Sequence, residues 1–264
     1  MHSVITATQA LVYSCYSEVT REEERFVQET FLTRVLEGSI VLNTASARYT
    51  FKAGDTVLIK RNQLINVTRM PAAQGEFKSV SVFFSQQNLR DYAAENQLQP
   101  TQIFKGNPIS ILPPSPFFES YATSLTAYQQ GFTSEGLTTL KVKEALMLSL
   151  HVNPELSNLL FDFQEPEKIE LEEFMEQHFK FNVSMSRFAY LTGRSLATFK
   201  RDFPKSFYTS PGKWLQLRRL KEARYLLKER KMKVSDVYHE VGFEDLSHFS
   251  FAFKKAFGFP PSSR

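Results

Sequence analysis

Two segments in the last third of the 264-residue chain carry side chains whose types and spacing could recognise a nucleic acid. MSRFAYLTGRSLATFKRDF (residues 185–203) and VSDVYHEVGFEDLSHFSFAF (residues 234–253) each combine a short helical pattern, a glycine and a second helical pattern with Phe at a spacing of four. The side of each second helix opposite the Phe residues is largely polar and basic. Arg can donate two hydrogen bonds to guanine, a small residue can contact a thymine methyl group, and Lys can bind phosphate. The repeat therefore predicts two helices that read DNA.

The angle of about 100° between successive helical residues divides each second helix into two faces. The core faces are predicted to hold Leu196, Phe199, Phe203, Leu246, Phe249, Ala252, Phe253, Ala256 and Phe257. The opposite faces, with the residues that lead into them, give the predicted DNA-binding residues: Arg194, Ser195, Ala197, Thr198, Lys200, Arg201, Lys205, Ser247, His248, Phe251, Lys254 and Lys255. Two alternatives stay open. Arg201 could equally pair with an acid within the fold, and the two adjacent lysines could be plain solvated charges.

A long helix is predicted between the two segments, over SPGKWLQLRRLKEARYLLKE (residues 210–229). Ser210 can cap it, and Pro211 suits the first helical position. A short helix, a glycine turn and a second amphipathic helix form the helix-turn-helix pattern, and two copies on one linker helix predict readout of two adjacent major-groove segments. The charges agree with this prediction. Residues 168–264 hold 19 Lys and Arg against 11 Asp and Glu, a net +8, and residues 1–167 hold 13 against 17, a net −4.

The order of matching positions makes the resemblance specific. They are Arg219-Leu220, Ala223, Leu226-Leu227, Gly242-Phe243, Asp245, Ser247, Phe249-Ser250, Phe253-Lys254-Lys255, Phe257-Gly258 and Pro261. With these residues, 168–264 resembles the DNA-binding domain of the AraC/XylS family of bacterial transcription regulators. The resemblance implies a sequence-specific regulator in the cytoplasm that acts on double-stranded DNA. It also implies a homodimer, and contact with RNA polymerase if the protein is an activator.

The chain departs from the family pattern at three positions. The first helix-turn-helix repeat keeps a small residue, Ala189, where its two helices approach. The second repeat has Tyr238 there, which we expect to turn outward. Pro204 stands where the family continues the first recognition helix, so that helix is expected to end or kink there. Phe251 stands where the family commonly has Arg, and it is predicted to make an apolar contact in the major groove.

The N-terminal part of the chain has a different pattern. Residues 1–85 contain short runs rich in Val, Ile, Thr, Tyr and Phe between turn signals, which predicts a β-sandwich or barrel. This region resembles the cupin-like sensor domain found in such regulators. Residues 86–163 read as a helical connector, so the predicted fold class is α+β: a cupin-like β-barrel with a helical hairpin, followed by the all-α domain at 168–264.

The predicted helix at 137–150 has a broad apolar surface that could form a dimer interface or pack against the β-domain. The predicted dimerisation residues are Leu137, Leu140, Lys141, Glu144 and Leu148. Three means of control stay open: a small ligand inside the barrel, dimerisation through this helix, or a partner protein on the surface. The stretch VKEALMLSLHVNPELSNLLFDFQ is similar to the corresponding part of family members that a partner protein controls.

Catalytic and metal chemistry have little support in the sequence. The stretch GSIVLNTASARYTFKAGD, where cupin metalloenzymes cluster His with Glu, has neither residue. We therefore expect no cofactor, no metal and no enzyme. The single cysteine excludes an intrachain disulfide, and neither a signal peptide nor a membrane span is predicted. The alternative interpretation is a cupin-like ligand-binding or enzymatic protein whose helical tail mediates protein contacts.

Overall fold

The computed structural model describes residues 3–7, 10–99, 104, 106–126 and 134–263, with side chains described outside 3–7 and 21–25. The chain divides into two compact units, residues 1–164 and residues 165–264. Their use as a sensor, a connector and a DNA-binding domain stays a prediction.

The first unit is built on antiparallel strands. Its strands are β1 (Ser3–Ala7), β2 (Leu11–Tyr16), β3 (Thr20–Val27), β4 (Thr30–Glu37), β5 (Ser39–Asn43), β6 (Arg48–Lys52), β7 (Thr56–Ile59), β8 (Gln63–Met70), β9 (Phe77–Phe84) and β10 (Ile109–Leu112). One sheet has the order β1-β2-β9-β4-β7-β10 and the other has the order β3-β8-β5-β6. Over the residues described, these ladders form two sheets and not one closed ring, so the antiparallel β-rich prediction is confirmed without its barrel closure.

The turns between strands follow the sequence signals. Gly38 joins β4 to β5 at φ +76°, and a Cβ there would lie 2.5 Å from the Met70 carbonyl oxygen. Only glycine fits so close an approach in this backbone conformation. The charges of REEER (residues 21–25) predict a solvated turn, but this run lies in β3, where the register with β8 shifts between Glu22 and Arg25. A local bulge accommodates the charged run within the strand.

Helices cover one apolar side of the first unit. They are α1 (Gln86–Glu95), α2 (Pro116–Leu125), α3 (Glu135–Val152), a 3₁₀ turn (Pro154–Leu156) and α4 (Ser157–Leu160). The serines before α1, α2 and α3 each accept a backbone hydrogen bond from the first turn. The pattern of PFFESYATSLTAYQQ predicts a helix over residues 116–130, of which residues 127–130 lie outside the described part of the chain.

The prolines of PELSNLLFDFQEPEK (residues 154–168) predict a connection between the modules, but the first half of this segment belongs to the first unit's core. Leu156, Leu159 and Phe161 are buried there among residues from the strands and from α3. The Lys60 ammonium donates to the Asp162 carboxylate at 2.6 Å. Apolar side chains at helical spacing thus made this segment part of a hydrophobic core, in spite of its two prolines.

The second unit is helical. It contains α5 (Leu171–His178), α6 (Met185–Leu191), α7 (Leu196–Phe207), α8 (Pro211–Lys228), α9 (Val234–Glu240) and α10 (Leu246–Phe257). The helices at 185–207 and 234–257 form the two predicted repeats, and α8 is the predicted linker helix. In the described residues no helix combines the length and apolar character that a membrane span requires.

Candidate nucleic-acid interface

The two repeats have the same backbone geometry at their turns. Gly193 lies between α6 and α7 at φ +64°, and Gly242 lies between α9 and α10 at φ +85°. The next backbone N–H closes each turn in the same way: Arg194 N donates to Ala189 O at 2.9 Å, and Phe243 N donates to Tyr238 O at 2.9 Å. Each repeat therefore presents a second helix after a tight glycine turn, as a helix-turn-helix requires.

Both second helices begin with a side-chain cap. Ser195 Oγ accepts from Thr198 N at 3.2 Å, and Asp245 Oδ1 accepts from His248 N at 2.6 Å. A capping side chain satisfies one of the free N–H groups at a helix start, and the helix dipole places partial positive charge there. The caps define the N-termini of α7 and α10. The neutral Ser195 cap leaves the start of α7 open to phosphate, whereas the Asp245 carboxylate already places a negative charge at the start of α10.

Phenylalanine pairs anchor both helices. Phe199 and Phe203 in α7, and Phe249 and Phe253 in α10, are essentially fully buried. The predicted core faces are wrong at three of their members, because Leu196, Leu246 and Ala256 are exposed. The two leucines are the first residues of their helices, directly after the cap, where the helix has left the neighbouring core.

The outward face of α7 carries most of the predicted basic residues. Ala197, Lys200, Arg201 and Lys205 are all exposed, the Arg201 side chain by 70%. Asp202 lies between them, 3.2 Å from Lys205 Nζ and 3.7 Å from Arg201 Nε. The Lys205 hydrogen bond, together with nearby positive charges, holds the pKa of Asp202 below its ordinary value. The Arg201 side chain is itself exposed and its ion pair is long at 3.7 Å, so the pair is weak and the guanidinium is available to another ligand.

The outward face of α10 is more mixed. Ser247, His248, Lys254 and Lys255 are exposed around Phe251, whose side chain is 70% exposed. The ring of Phe249 on the buried face lies 5.7 Å from that of Phe253. The division of the phenylalanines into buried and outward rings follows helix geometry, and Phe251 is the exception that faces solvent.

Comparison with known proteins places this geometry in a family. Residues 188–263 match the family described as helix-turn-helix domain, and residues 30–160 match the ExsA N-terminal regulatory domain. The chain is 24% identical to the HTH-type transcriptional regulator ExsA of Pseudomonas aeruginosa over 258 residues, which cover 95% of this chain and 91% of ExsA. The chain belongs to the AraC/XylS family of DNA-binding transcription regulators.

Two further comparisons give a partial sequence match and a distant structural match. The thermoregulatory protein LcrF of Yersinia pestis is 35% identical over 129 residues, so the match spans 48% of this chain and about half, 47%, of LcrF. The crystal structure of ToxT from Vibrio cholerae covers 97% of this chain and is itself covered over 96%, at 13% identity and a TM-score of 0.48. That score is too low to carry a functional argument.

One predicted DNA-binding residue of this AraC-type unit is used by the fold instead. The Arg194 side chain is 7% exposed, and its Nη1 donates to the carbonyl oxygens of Ile169 at 2.8 Å and Thr192 at 2.7 Å. Its Nε also lies 3.7 Å from Asp202 Oδ2. Arg194 therefore braces the turn between α6 and α7. The residue precedes the helix cap, where the chain still runs close to α5.

Pro204 does not end the first recognition helix of this AraC/XylS member. Of the predicted end or kink at that point, the end is wrong, since α7 continues to Phe207. Proline removes one helical hydrogen bond, but aromatic packing holds the next turn in place. The Phe207 ring stacks on Phe203 at 4.3 Å and packs against Trp214 of α8 at 4.6 Å between centroids.

Tyr238 does not turn fully outward as expected. It is half-buried against the core of the second unit, with its ring 4.0 Å from His239 and 6.5 Å from Phe249. The equivalent Ala189 in the first repeat is buried. The second AraC-type repeat thus accommodates a larger residue by laying its ring along the core and keeping the same backbone turn.

The predicted dimerisation residues on α3 of the regulatory unit divide into two groups. Leu137 and Leu140 are exposed, the latter by 62%, whereas Leu148 packs against the first unit's core. Lys141 and Glu144 form an ion pair at 2.7 Å. Sequence reasoning missed Met147, which is also exposed and lies seven residues after Leu140 on the same side of the helix. The seven-residue spacing from Leu140 was the sequence signal that could have identified Met147.

Proposed function

We propose that this AraC/XylS regulator binds a DNA site of about two helical turns by placing α7 and α10 in two adjacent major-groove segments. The observation that supports this best is the repeated unit: a glycine turn followed by a capped helix whose polar and basic face lies opposite buried Phe residues. The proposed DNA contacts are Ser195, Ala197, Thr198, Lys200, Arg201, Lys205, Ser247, His248, Phe251, Lys254 and Lys255. Arg194 is left out because its side chain is engaged within the fold.

The residues divide by chemistry. Arg201 is proposed to donate a bidentate pair of hydrogen bonds to guanine, since its guanidinium is exposed and only weakly paired. The exposed lysines are proposed to bind phosphate, which fixes the position of each helix but carries no base preference. Phe251 is proposed to contact a thymine methyl group. The first repeat then reads mainly by hydrogen bonds and the second partly by apolar contact.

In vitro selection from random DNA tests this proposal, because it does not require a known target sequence. The full chain is used to enrich duplexes from a randomised library, and affinity for the enriched sequence is measured over a range of salt. We expect a steep fall of affinity with salt, because several phosphates are neutralised. Arg201→Ala should weaken binding by about 1–3 kcal/mol and relax the preference at one guanine. Lys221→Ala, an exposed charge change on α8, is the matched control. Failure to enrich any sequence, or affinity that is flat with salt, overturns the proposal.

The first unit is proposed to control this binding. The match of residues 30–160 to a regulatory domain supports control from there, by a small ligand, by dimerisation or by a partner protein. The exposed leucines of α3 are proposed to form a homodimer contact. Several relatives carry names of transcriptional activators, such as RhaS of Escherichia coli. We therefore propose an activator that contacts RNA polymerase in the bacterial cytoplasm and has no catalytic role.

A further inference from the structure

Arg219 lies at the middle of α8 and connects the turn before the first repeat to the glycine turn of the second. Its side chain is buried, and it donates three hydrogen bonds to backbone carbonyl oxygens: Nε to Phe179 at 2.7 Å, Nη2 to Phe181 at 2.7 Å and Nη1 to Gly242 at 2.8 Å. The first two carbonyls lie in the turn between α5 and α6, beside the first repeat. The third lies in the glycine turn of the second repeat. One guanidinium thus holds both the backbone that leads into the first repeat and the glycine turn of the second.

The backbone around Arg219 leaves no room for adjustment. A Cβ on Gly242 would lie 2.2 Å from the Lys180 carbonyl oxygen and 3.0 Å from Arg219 Cζ. The turn of the second repeat therefore lies directly against the turn that precedes the first. Side chains at the rim add to the contact. Asn182 donates to the Glu244 carboxylate, and Lys180 lies 3.5 Å from a Glu240 carboxylate oxygen.

A buried guanidinium is a costly way to fill space between helices. Burial of a charge carries a desolvation penalty that an apolar side chain of similar volume avoids. Three hydrogen bonds from a charged donor offset that penalty, and they do so only when all three carbonyls are in place. The arrangement therefore favours one relative position of the two turns over neighbouring positions.

We propose that Arg219 is a positioning residue that fixes the spacing and orientation of α7 relative to α10, so that the protein accepts DNA segments at one spacing only. This inference rests on the proposed two-segment readout. Two rigidly linked binding elements gain affinity because the second binds at a high effective concentration, and this gain is lost when the geometry does not match. Arg219 would supply that rigidity without touching DNA.

The test uses duplexes derived from the sequence that the wild-type chain enriches. One duplex keeps both segments, a second has one segment scrambled, and a third has about five base pairs, half a helical turn, inserted between the segments. The wild type should bind the intact duplex at least about a hundredfold more tightly than the scrambled one. It should lose most of that gain on the inserted duplex. If nothing is enriched, the proposed function fails; if the wild type tolerates the insertion, only the present inference fails.

Arg219→Gln and Arg219→Lys are the informative variants, because neither can donate to three carbonyls in a fork. We expect the ratio of affinities for the intact and the scrambled duplex to fall tenfold or more. Affinity for the scrambled duplex should stay unchanged, and the insertion should reduce affinity less than it does in the wild type. Arg218→Gln is the control. Arg218 has the same charge on the same helix, but it pairs with Glu176 and Glu222 and, among the residues that the structure describes, makes no hydrogen bond or ion pair to the second repeat.

Folding is monitored through Trp214, the chain's single tryptophan, which packs against Phe207. If the Arg219 variants unfold, the double variant Lys180→Ala and Asn182→Ala tests the same contact from its rim, and it should reduce the gain from the second segment more than threefold. An equal loss of affinity for intact and scrambled duplexes would overturn the inference. So would a spacing dependence that stays identical to that of the wild type.

Discussion

Tyr208 and Gly258 occupy the same position at the C-terminal ends of the two recognition helices, and both have a left-handed backbone. Tyr208 follows α7 with φ +55°, and Gly258 follows α10 with φ +85°. Each backbone N–H donates to the carbonyl four residues earlier, at 2.9 Å from Tyr208 to Pro204 and 2.8 Å from Gly258 to Lys254. Glycine adopts this conformation without cost, whereas a side chain does not. The first repeat therefore carries a strain that the second avoids.

Replacement of Tyr208 by glycine should stabilise the second unit. The left-handed conformation costs a residue with a side chain about 1–2 kcal/mol, and the Tyr208 side chain is 90% exposed, so it contributes little burial in return. We expect Tyr208→Gly to raise the free energy of unfolding by up to about 1 kcal/mol, measured by urea denaturation with Trp214 fluorescence. Gly258→Tyr should lower it. A Tyr208→Gly variant less stable than the wild type would show that the exposed ring supports the fold.

Phe251 should matter for DNA affinity and not for folding. Because the ring is exposed, Phe251→Ala should change the free energy of unfolding by less than about 0.5 kcal/mol. Its buried neighbour provides the contrast, since Phe249→Ala should cost about 3–5 kcal/mol. In DNA titrations Phe251→Ala should weaken binding by about 1 kcal/mol and relax the preference at a thymine. Tyr225→Ala is the control, because Tyr225 is also an exposed aromatic residue but lies on α8. Unchanged base preference would remove Phe251 from the interface.

His178 should make the stability of the second unit depend on pH. The ring is half-buried in α5, stacks on Phe174 at 4.2 Å and has Nδ1 2.8 Å from the Phe174 carbonyl oxygen. Burial lowers the pKa of His178 below its ordinary value of 6.5, and the hydrogen bond to the carbonyl opposes this in part. The unfolded chain thus takes up the proton at a higher pH than the folded chain.

It follows that the contribution of His178 to the free energy of unfolding is fully present above about pH 6.5. This contribution is lost as the pH is lowered below that value. We expect the free energy of unfolding, followed by Trp214 fluorescence, to decline between pH 7.5 and pH 5.5. His178→Phe keeps the aromatic packing and should flatten that decline. His239→Phe, a change at an exposed position, serves as the control. An identical pH profile in the His178 variant would assign the decline to other groups.

Leu140 should govern dimerisation. It lies between Leu137 and Met147, and these three exposed residues form an apolar stripe on α3. Leu140→Ser removes an apolar contact without opening a cavity, because the side chain is already exposed in the single chain. We expect the dimer to dissociate at least tenfold more readily in sedimentation equilibrium, with thermal stability of the monomer retained. Val19→Ser changes a comparably exposed apolar residue away from α3. Equal effects of the two substitutions, or no effect of either, would exclude this stripe as the interface.

The sequence predicted the elements whose pattern is local and repeated. Runs rich in Val, Ile, Thr, Tyr and Phe between turn signals predicted most of the strands from Leu11 to Phe84, and the spacing of Phe199 and Phe203 predicted the first recognition helix. β10 was missed because its four residues lie in a proline-rich stretch and are held by pairing with β7, a partner far away in the chain. Pairing between distant segments leaves no signal in either segment alone.

Two site residues show the same limit at the level of side chains. Arg194 stands next to a recognition helix, but its carbonyl partner at Ile169 is supplied by a segment 25 residues earlier. Pro204 breaks an isolated helix, but the Phe207 and Trp214 rings stabilise the turn that follows. In both cases tertiary contacts decide the local structure. Such contacts cannot be predicted from the helix angle or from the propensity of the residue.

The thymine contact proposed for the outward ring of Phe251 would give the two repeats different responses to ionic strength. Contacts of lysine and arginine with phosphate release bound cations, so added salt weakens them. An aromatic ring on a methyl group releases none. As salt rises, the share of the binding free energy that comes from α10 would therefore grow, and sequence discrimination would move toward the proposed thymine contact. The same protein would thus rank its binding sites differently in dilute and in concentrated electrolyte.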